Sequence, residues 1–306
     1  MSDDDTPTLA PAVQAERIEF EGRAGRQTYY RDGDGAPLLL FHSINAAGSV
    51  YEVKPIFEHF RKTRCVYASD LPGFGFSDRS DRDYSVRLYT DAIHDLVDHV
   101  PGDAPVDALA LSLSSEFLAR AASERPDRFR SLTLVTPTGF SRGSDRLRAA
   151  EGTTREMAWL YKVLTVPLWR KGLYRQLVRP GVIRYFLKRT WGADTFDEDL
   201  AAYDDLTTHQ PGAENAPYAF LSGKLFSRDI RNVYESLRMP VWLPHGTRGD
   251  FKDFREADWA RAADNWHVQA FESGALPHFE VPDPFFAAAE AFLSQTSSAR
   301  AAVRLR

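Results

Sequence analysis

The sequence contains little of what several classes of protein need. A single cysteine, Cys65, stands among 306 residues. A lone thiol excludes an intramolecular disulfide and a thiolate metal site, and its apolar neighbours predict a buried strand. Apolar runs such as residues 37–41 are far shorter than the roughly 20 residues that a membrane-spanning helix needs. The disulfide-rich and membrane-spanning classes are therefore excluded.

Signatures of nucleic-acid, metal and nucleotide binding are also missing. With 38 basic and 43 acidic residues the formal net charge is −5, which argues against a nucleic-acid binder that works through overall positive charge. None of the eight histidines forms a His-x-x-x-His pair followed by an acid, and there is no glycine-rich phosphate loop. We therefore expect no metal, no cofactor and no nucleic-acid partner.

The two ends of the sequence are polar. Three aspartates at positions 3–5 stand where a signal peptide needs basic and then apolar residues. We therefore expect a cytoplasmic protein with a disordered tail over residues 1–14 and a second tail over residues 296–306. Hydrophobic residues make up 43% of the chain, enough for a substantial core. Nothing in the sequence determines the oligomeric state.

Short apolar strands alternate with helical segments along most of the chain. The predicted strands are residues 17–21, 27–31, 37–42, 65–69, 106–111, 132–135, 241–245 and 267–271. This alternation predicts an α/β fold with a mostly parallel sheet flanked by helices. It stops near Thr138 and resumes near Pro240, with five aromatic-rich helical segments between. We therefore expect a core of residues 15–138 and 239–295 and an inserted helical cap of residues 139–238.

Ser112 stands at the apex of a predicted strand, sharp turn and helix. Such a turn exposes the hydroxyl above the sheet and strains the backbone, so the residues two before and two after must be small. Ala110 and Ser114 are small. They also replace both glycines of the usual Gly-x-Ser-x-Gly pattern, and this segment alone fits a helix N-cap serine equally well.

Two later residues could serve as the partners of a nucleophilic serine. Such a serine needs a base that takes its proton and an acid that orients the base. Asp250 follows the strand at 241–245, and His278 follows the strand at 267–271. The alternative interpretations are that Asp250 is a turn residue and that His278 is a loop imidazole near the start of a helix. Because each of the three residues follows the end of a predicted strand, we favour a triad of Ser112, Asp250 and His278, with Asp253 as the alternative acid.

The chain resembles the α/β-hydrolase superfamily over about residues 15–295. The segments that carry the resemblance are residues 40–45, residues 70–78, the Ser112 turn, residues 245–250 and residues 277–282. The resemblance implies that the backbone amides of Ile44 and Leu113 form an oxyanion hole. Asn45 either adds a side-chain hydrogen-bond donor to the oxyanion hole or makes a hydrogen bond that closes the loop. The turn from Asp70 to Ser77 is expected to be structural.

The sequence departs from the superfamily pattern in four places, of which Ala110 and Ser114 are two. Ser43 replaces the glycine of the usual His-Gly pair, and the loop before Asp250 has one residue more than the commonest spacing. These departures leave open the geometry of the oxyanion loop and the choice between Asp250 and Asp253. A serine at the apex argues against the aspartate-nucleophile reactions of the superfamily, dehalogenation and epoxide opening.

The predicted cap carries an unusual concentration of positive charge. Between Arg155 and Arg189 there are nine bases and one acid, a net charge of +8 in a chain whose total is −5. Aromatic and aliphatic residues are interleaved with these bases. The bases either form the solvated face of amphipathic helices, or hold an anionic amphiphile, or rest on an anionic membrane surface.

The sequence thus predicts a serine hydrolase that acts on a carboxylic ester or related acyl substrate with a hydrophobic portion, through an acyl-enzyme. Two alternatives stay open. One is a carbon–carbon bond hydrolase or lyase with the same triad. The other is a non-catalytic binding protein on a hydrolase scaffold that uses the cationic cap. The expected partner is a small molecule whose identity the sequence does not give.

Overall fold

The computed structural model describes the backbone of residues 7–143 and 148–304, and the side chains of residues 7–143 and 148–296. Within this part, eight strands form one sheet. The strands are β1 Glu16–Gly22, β2 Gly25–Asp32, β3 Pro37–Phe41, β4 Cys65–Asp70, β5 Val106–Leu111, β6 Phe129–Val135, β7 Val241–Gly246 and β8 Trp266–Phe271. All eight correspond to predicted strands.

The sheet is mostly parallel, in the order β1-β2-β4-β3-β5-β6-β7-β8. Only the pairs β1·β2 and β2·β4 are antiparallel. The strands β4 and β5 are buried at every residue, as expected for strands covered on both faces. The predicted fold class is therefore confirmed. Since β5, β7 and β8 run in the same direction, the segments that follow them lie at the same edge of the sheet.

Helices cover both faces of the sheet. Those outside the β6–β7 connection are α1 Lys54–Phe60, α2 Val86–His99, α3 Ser114–Glu124, α10 Asp258–Arg261, α11 Pro277–Glu280 and α12 Pro282–Arg304. They bury two apolar cores, one including Tyr89 and Phe117 and the other including Phe57 and Phe285. No helix in the described part is long and apolar enough to cross a membrane.

The long connection between β6 and β7, where the sequence predicts an inserted cap, contains six helices in its described part, and these are called the cap helices below. Its helices are α4 Ala158–Leu164, α5 Arg170–Leu177, α6 Pro180–Trp191, α7 Glu198–Thr208, α8 Asn215–Leu221 and α9 Ile230–Ser236. Pro180 begins α6, where a missing N–H costs nothing. The sixth helix, α9, was not predicted. It is held to the core by a buried ion pair of 2.7 Å between Arg120 and Asp229.

Both predicted tails differ from the structure. Residues 7–14 are not a disordered tail, because Ala12 and Val13 are buried and the carbonyl of Ala10 accepts a hydrogen bond of 2.8 Å from the Tyr203 hydroxyl. Residues 1–6 of that prediction lie outside the described residues. At the other end, α12 continues to Arg304, past the predicted boundary at 295. Apolar contacts with folded elements explain the first difference, and they are not visible in local composition.

Candidate active site

Ser112 lies in the sharp turn between β5 and α3. Its φ of +50° is in the left-handed region, which costs a non-glycine residue about 1–3 kcal/mol. The Ser112 N–H donates to the Val135 carbonyl at 2.9 Å, which fixes the turn to the end of β6. In the described part of the chain its Oγ makes no hydrogen bond. The predicted strained turn is confirmed, and the hydroxyl is free to react.

The serine that replaces the second elbow glycine has a structural explanation. The Ser114 hydroxyl donates a hydrogen bond of 2.6 Å to the His42 carbonyl. His42 ends the β3 segment that leads into the predicted oxyanion loop. A glycine could not make this bond. Ser114 therefore fastens the start of α3 to the loop that must stand opposite Ser112.

The amides of Ile44 and Leu113 are both unpaired in the described part of the chain. Both residues are buried, and neither N–H donates to a backbone carbonyl or a side chain there. Buried N–H groups without a partner are rare in native proteins. Two of them at the expected positions are what an oxyanion hole requires before substrate binds.

A buried carboxylate, Glu52, organises the loop after β3. Its oxygens accept hydrogen bonds from the Ser43 N–H at 2.7 Å, the Ser43 hydroxyl at 2.9 Å and the Asn45 side-chain amide at 2.9 Å. Burial raises the pKa of Glu52, and these donors oppose the rise. Ser43 thus has a definite partner, and Asn45 closes the loop. Sequence reasoning missed Glu52, which is one of two acids in the helical stretch from 50 to 60.

His42 supports the same loop. Its Nδ1–H donates to the Ser43 carbonyl at 2.7 Å, and its Nε2 accepts from the Leu71 N–H at 3.1 Å. Burial lowers the pKa of His42 to about 4. The ring is therefore neutral at neutral pH, and each of its two nitrogens has its partner.

His278 lies in the short helix α11 and is buried. Its Nε2–H donates to the Glu52 carbonyl at 2.8 Å, while Nδ1 has no hydrogen-bond partner among the residues that the structure describes. Burial lowers the pKa of His278 to about 4. The ring is thus a neutral imidazole with a free lone pair on Nδ1. Glu52 connects the two parts of the site, since its side chain holds the oxyanion loop and its carbonyl holds the histidine.

The structure does not bring Asp250 to His278. The Asp250 carboxylate forms an ion pair with Arg189 of α6, and its side chain is 42% exposed. Asp253 instead accepts hydrogen bonds from Arg255, which hold the pKa of Asp253 well below its usual value. Within the described residues neither carboxylate bonds the imidazole, and each is paired with an arginine instead.

The end of α6 explains where Asp250 is held. The Arg189 carbonyl accepts from the Asp250 N–H at 3.0 Å, and the Thr190 carbonyl accepts from the Ala275 N–H at 2.9 Å. A Cβ at Gly274 would lie only 2.4 Å from the Thr190 carbonyl oxygen, so this approach requires glycine. The last turn of α6 therefore packs on the loop that carries Asp250 and on the loop before His278.

Two other cap helices cover the oxyanion loop. The Tyr174 hydroxyl on α5 donates to the Ala46 carbonyl at 2.8 Å, and Tyr203 on α7 stacks on Tyr51 with ring centres 5.0 Å apart. Asp204 is buried beside them. Burial, and then the charge of Glu52, raise the pKa of Asp204 well above its usual range. The cap thus closes over the loop that carries the unpaired amide of Ile44.

A surface cleft of about 830 Å³ lies elsewhere, between the turn at residues 75–81 and residues 210–215. Neither Ser112 nor His278 lines it, so it is separate from the candidate active site. No group of three potential metal ligands occurs in the part of the chain that the structure describes.

The strand order and the mostly parallel sheet are those of the α/β-hydrolase fold, and comparisons agree. Residues 36–172 match the family model described as alpha/beta hydrolase fold. The 2-hydroxymuconate semialdehyde hydrolase of Pseudomonas putida is 24% identical over 294 residues, which cover 86% of this chain and 97% of that protein. The chain therefore has the α/β-hydrolase fold.

Solved structures share the fold. The epoxide hydrolase CorEH matches with a TM-score of 0.72 and 20% identity, covering 92% of this chain and 99% of that chain. A thermophilic esterase from Thermogutta terrifontis matches with a TM-score of 0.70 and 18% identity, also covering 92% of this chain and 99% of that chain. At these identities the likeness concerns the fold.

Proposed function

We propose that this protein is a serine hydrolase that cleaves a carboxylic ester or related acyl substrate, with Ser112 as the nucleophile and His278 as the base. The observation that carries the proposal is the strained Ser112 with a free hydroxyl, together with the two unpaired amides of Ile44 and Leu113. A serine that served only as a helix cap would use its hydroxyl to accept from the first turn of α3. Ser112 does not.

In the proposed reaction His278 takes the proton of Ser112 as its Oγ attacks the substrate carbonyl. The amides of Ile44 and Leu113 hold the negative oxygen of the tetrahedral intermediate. When this collapses, the bond to the leaving alcohol breaks and His278 returns the proton to that alcohol. A water molecule, deprotonated by His278, then releases the acyl group as a carboxylic acid.

The proposal keeps Asp250 as the acid that orients His278, with Asp253 as the alternative. The Asp250 carboxylate is paired with Arg189, so it can reach the imidazole only after that ion pair opens. Until then the Glu52 carbonyl holds the ring. Asp250→Asn should then lower kcat by about 10⁴-fold, as loss of the acid does in known triads. Arg189→Gln, which frees Asp250, should raise kcat.

Asp253→Asn is the matched control, because it removes the same charge three residues away. Steady-state kinetics of the three variants distinguish the acids. Full activity of Asp250→Asn together with loss in Asp253→Asn would transfer the role to Asp253. Full activity of both would show that the Glu52 carbonyl suffices to orient the base.

A hydrophobic portion of the substrate is favoured by the side chains between the cap and the histidine loop. Trp191 of α6 packs against Phe279 with ring centres 5.8 Å apart. Leu276 and Phe279 also contact the apolar cluster of the cap that contains Tyr174. Ligand pockets are mostly apolar with a few oriented polar groups. These apolar side chains favour a substrate with an acyl or aromatic portion.

A panel of chromogenic esters with acyl chains of increasing length tests the proposal. Wild type should hydrolyse at least one of them, and Ser112→Ala should lose about 10⁶-fold in kcat, as loss of a serine nucleophile does elsewhere. Ser115→Ala is the matched control, because its hydroxyl makes one hydrogen bond of 3.2 Å to the Ala110 carbonyl. Equal turnover by Ser112→Ala would refute the assignment.

Carbon–carbon bond hydrolysis with the same serine is the second candidate. The likeness to 2-hydroxymuconate semialdehyde hydrolase favours it. Product analysis separates the two reactions, since an ester releases an alcohol and a diketone-like substrate releases two carbon fragments. A third candidate, a binding protein on this scaffold, is favoured by the absent acid–imidazole bond. It predicts ligand binding that survives Ser112→Ala with no turnover of any substrate.

A further inference from the structure

The cap exposes large apolar side chains in one short stretch. Among the residues whose burial the structure describes, nine large hydrophobic residues are strongly exposed, and five of them lie between residues 157 and 169. Among these five, the most exposed are Leu168 at 87% and Trp159 at 66%, followed by Val163 at 47% and Trp169 at 45%. Isolated exposed apolar residues are normal, whereas a group of them marks an interaction surface.

These side chains are connected. Trp159 and Val163 are four residues apart on α4 and therefore share one side of the helix. The indole N–H of Trp169 donates to the Val163 carbonyl at 2.9 Å, which folds the turn between α4 and α5 back onto α4. Leu168 protrudes from this turn. The exposed apolar groups thus form one patch at the junction of the two helices.

Bases without partners border this patch. Lys171 and Arg175 are four residues apart on α5 and therefore share one side of that helix. Arg179 follows just past the end of α5, directly before α6. Lys162 lies three residues after Trp159 on α4. All four are exposed, and none forms an ion pair or side-chain hydrogen bond within the described residues. Other bases of the cap, such as Arg184, are paired with acids.

Together these residues form a basic-apolar face. Its members are Trp159, Lys162, Val163, Leu168, Trp169, Lys171, Arg175 and Arg179. Tryptophan favours the membrane–water interface, and exposed Trp and Leu beside Lys and Arg are typical of helices that lie on a bilayer surface. The unpaired bases select an anionic leaflet. The same face of a second copy would place positive charge against positive charge.

We propose that the basic-apolar face docks this protein on the surface of an anionic phospholipid bilayer. Trp159, Leu168 and Trp169 enter the interfacial layer, and the four bases contact lipid headgroups. Docking requires neither Ser112 nor His278. The proposal therefore goes beyond the hydrolase function and stands or falls separately from it.

Flotation of the full chain with vesicles tests the proposal. Vesicles of phosphatidylcholine with phosphatidylserine should bind the protein, and vesicles of phosphatidylcholine alone should bind it weakly. Added salt should weaken binding, because exposed charges are screened within about 10 Å at 0.1 M. Changing Lys162, Lys171, Arg175 and Arg179 together to Gln should weaken binding several hundred-fold, about five-fold for each base.

A matched charge control uses four exposed bases outside the face, Lys62, Arg142, Arg228 and Arg238, also changed to Gln. It should bind vesicles like wild type. A second variant, Trp159→Ala with Leu168→Ala, should reduce binding while keeping all charges, whereas Phe251→Ala, which truncates an exposed side chain elsewhere, should not. Thermal unfolding of each variant verifies that it is folded.

Three results would overturn the proposal. The first is no binding of wild type to vesicles that contain phosphatidylserine. The second is an equal loss of binding in the charge control, which would show that net charge rather than this face is responsible. The third is a concentration-dependent dimer that Trp159→Ala with Leu168→Ala abolishes, without any vesicle binding. That result would assign the face to a second copy of the chain.

Discussion

Glu52→Gln is the change that most directly probes how the candidate site is assembled. All three partners of the carboxylate donate, the N–H and hydroxyl of Ser43 and the amide of Asn45. A glutamine can present its side-chain oxygen to the Ser43 hydroxyl and the Asn45 amide, which both donate to Oε1 of Glu52. Its NH₂ group then faces the Ser43 N–H, which is also a donor. One buried donor loses its acceptor, which costs about 1–3 kcal/mol of unfolding free energy.

The same substitution should disturb catalysis. Because the Ile44 amide lies in the loop that Glu52 holds, a small shift of this loop would misplace one of the two proposed oxyanion donors. Loss of such a donor typically lowers kcat by about 10²–10³-fold, and we expect KM to change little. Urea unfolding and steady-state ester hydrolysis measure the two effects.

Glu58→Gln is the matched control for this prediction. Glu58 lies on α1 and forms a partly exposed pair of 3.2 Å with Arg61, so its loss should cost less than about 1 kcal/mol and leave kcat unchanged. If Glu52→Gln were as stable and as active as wild type, the account of the oxyanion loop would be refuted.

Two further predictions concern buried charge. The pKa of His278, lowered by burial to about 4, means that the base stays neutral over most of the acidic range. The kcat/KM should therefore fall only as the pH drops through about 4 rather than near 6.5, and a fall near 6.5 in the pH–rate profile would contradict this. Arg120→Met leaves the buried carboxylate of Asp229 unpaired and should destabilise the protein by about 3–5 kcal/mol in urea unfolding. The same change at Arg87, in an exposed pair with Glu124, should cost less than about 1 kcal/mol, and equal losses would refute the argument.

The sheet could be predicted because buried strands are recognisable from the local sequence. Strands such as β4 and β5, which are buried along their whole length, appear as short apolar runs bounded by turn residues. The strained turn at Ser112 was predictable for a related reason, since a strand, a small-residue turn and a helix are adjacent in sequence.

The contacts that organise the site could not be predicted in this way. The Glu52 carbonyl meets His278 across 226 residues of chain, and the ion pair of Arg189 with Asp250 joins the cap to the core. Such partners depend on how α1, α6 and α11 pack, which no local pattern encodes. Position after successive strands predicted that Asp250 and His278 would share a sheet edge, but not which side chain each would bind.

The most direct test of the central claim, that Ser112 is an activated nucleophile, is the intact mass of the protein after exposure to a fluorophosphonate. Wild type should gain the mass of one adduct, and Ser112→Ala should gain none. Absence of an adduct on wild type with both a bulky and a small probe, or an equal adduct on Ser112→Ala, would contradict the claim.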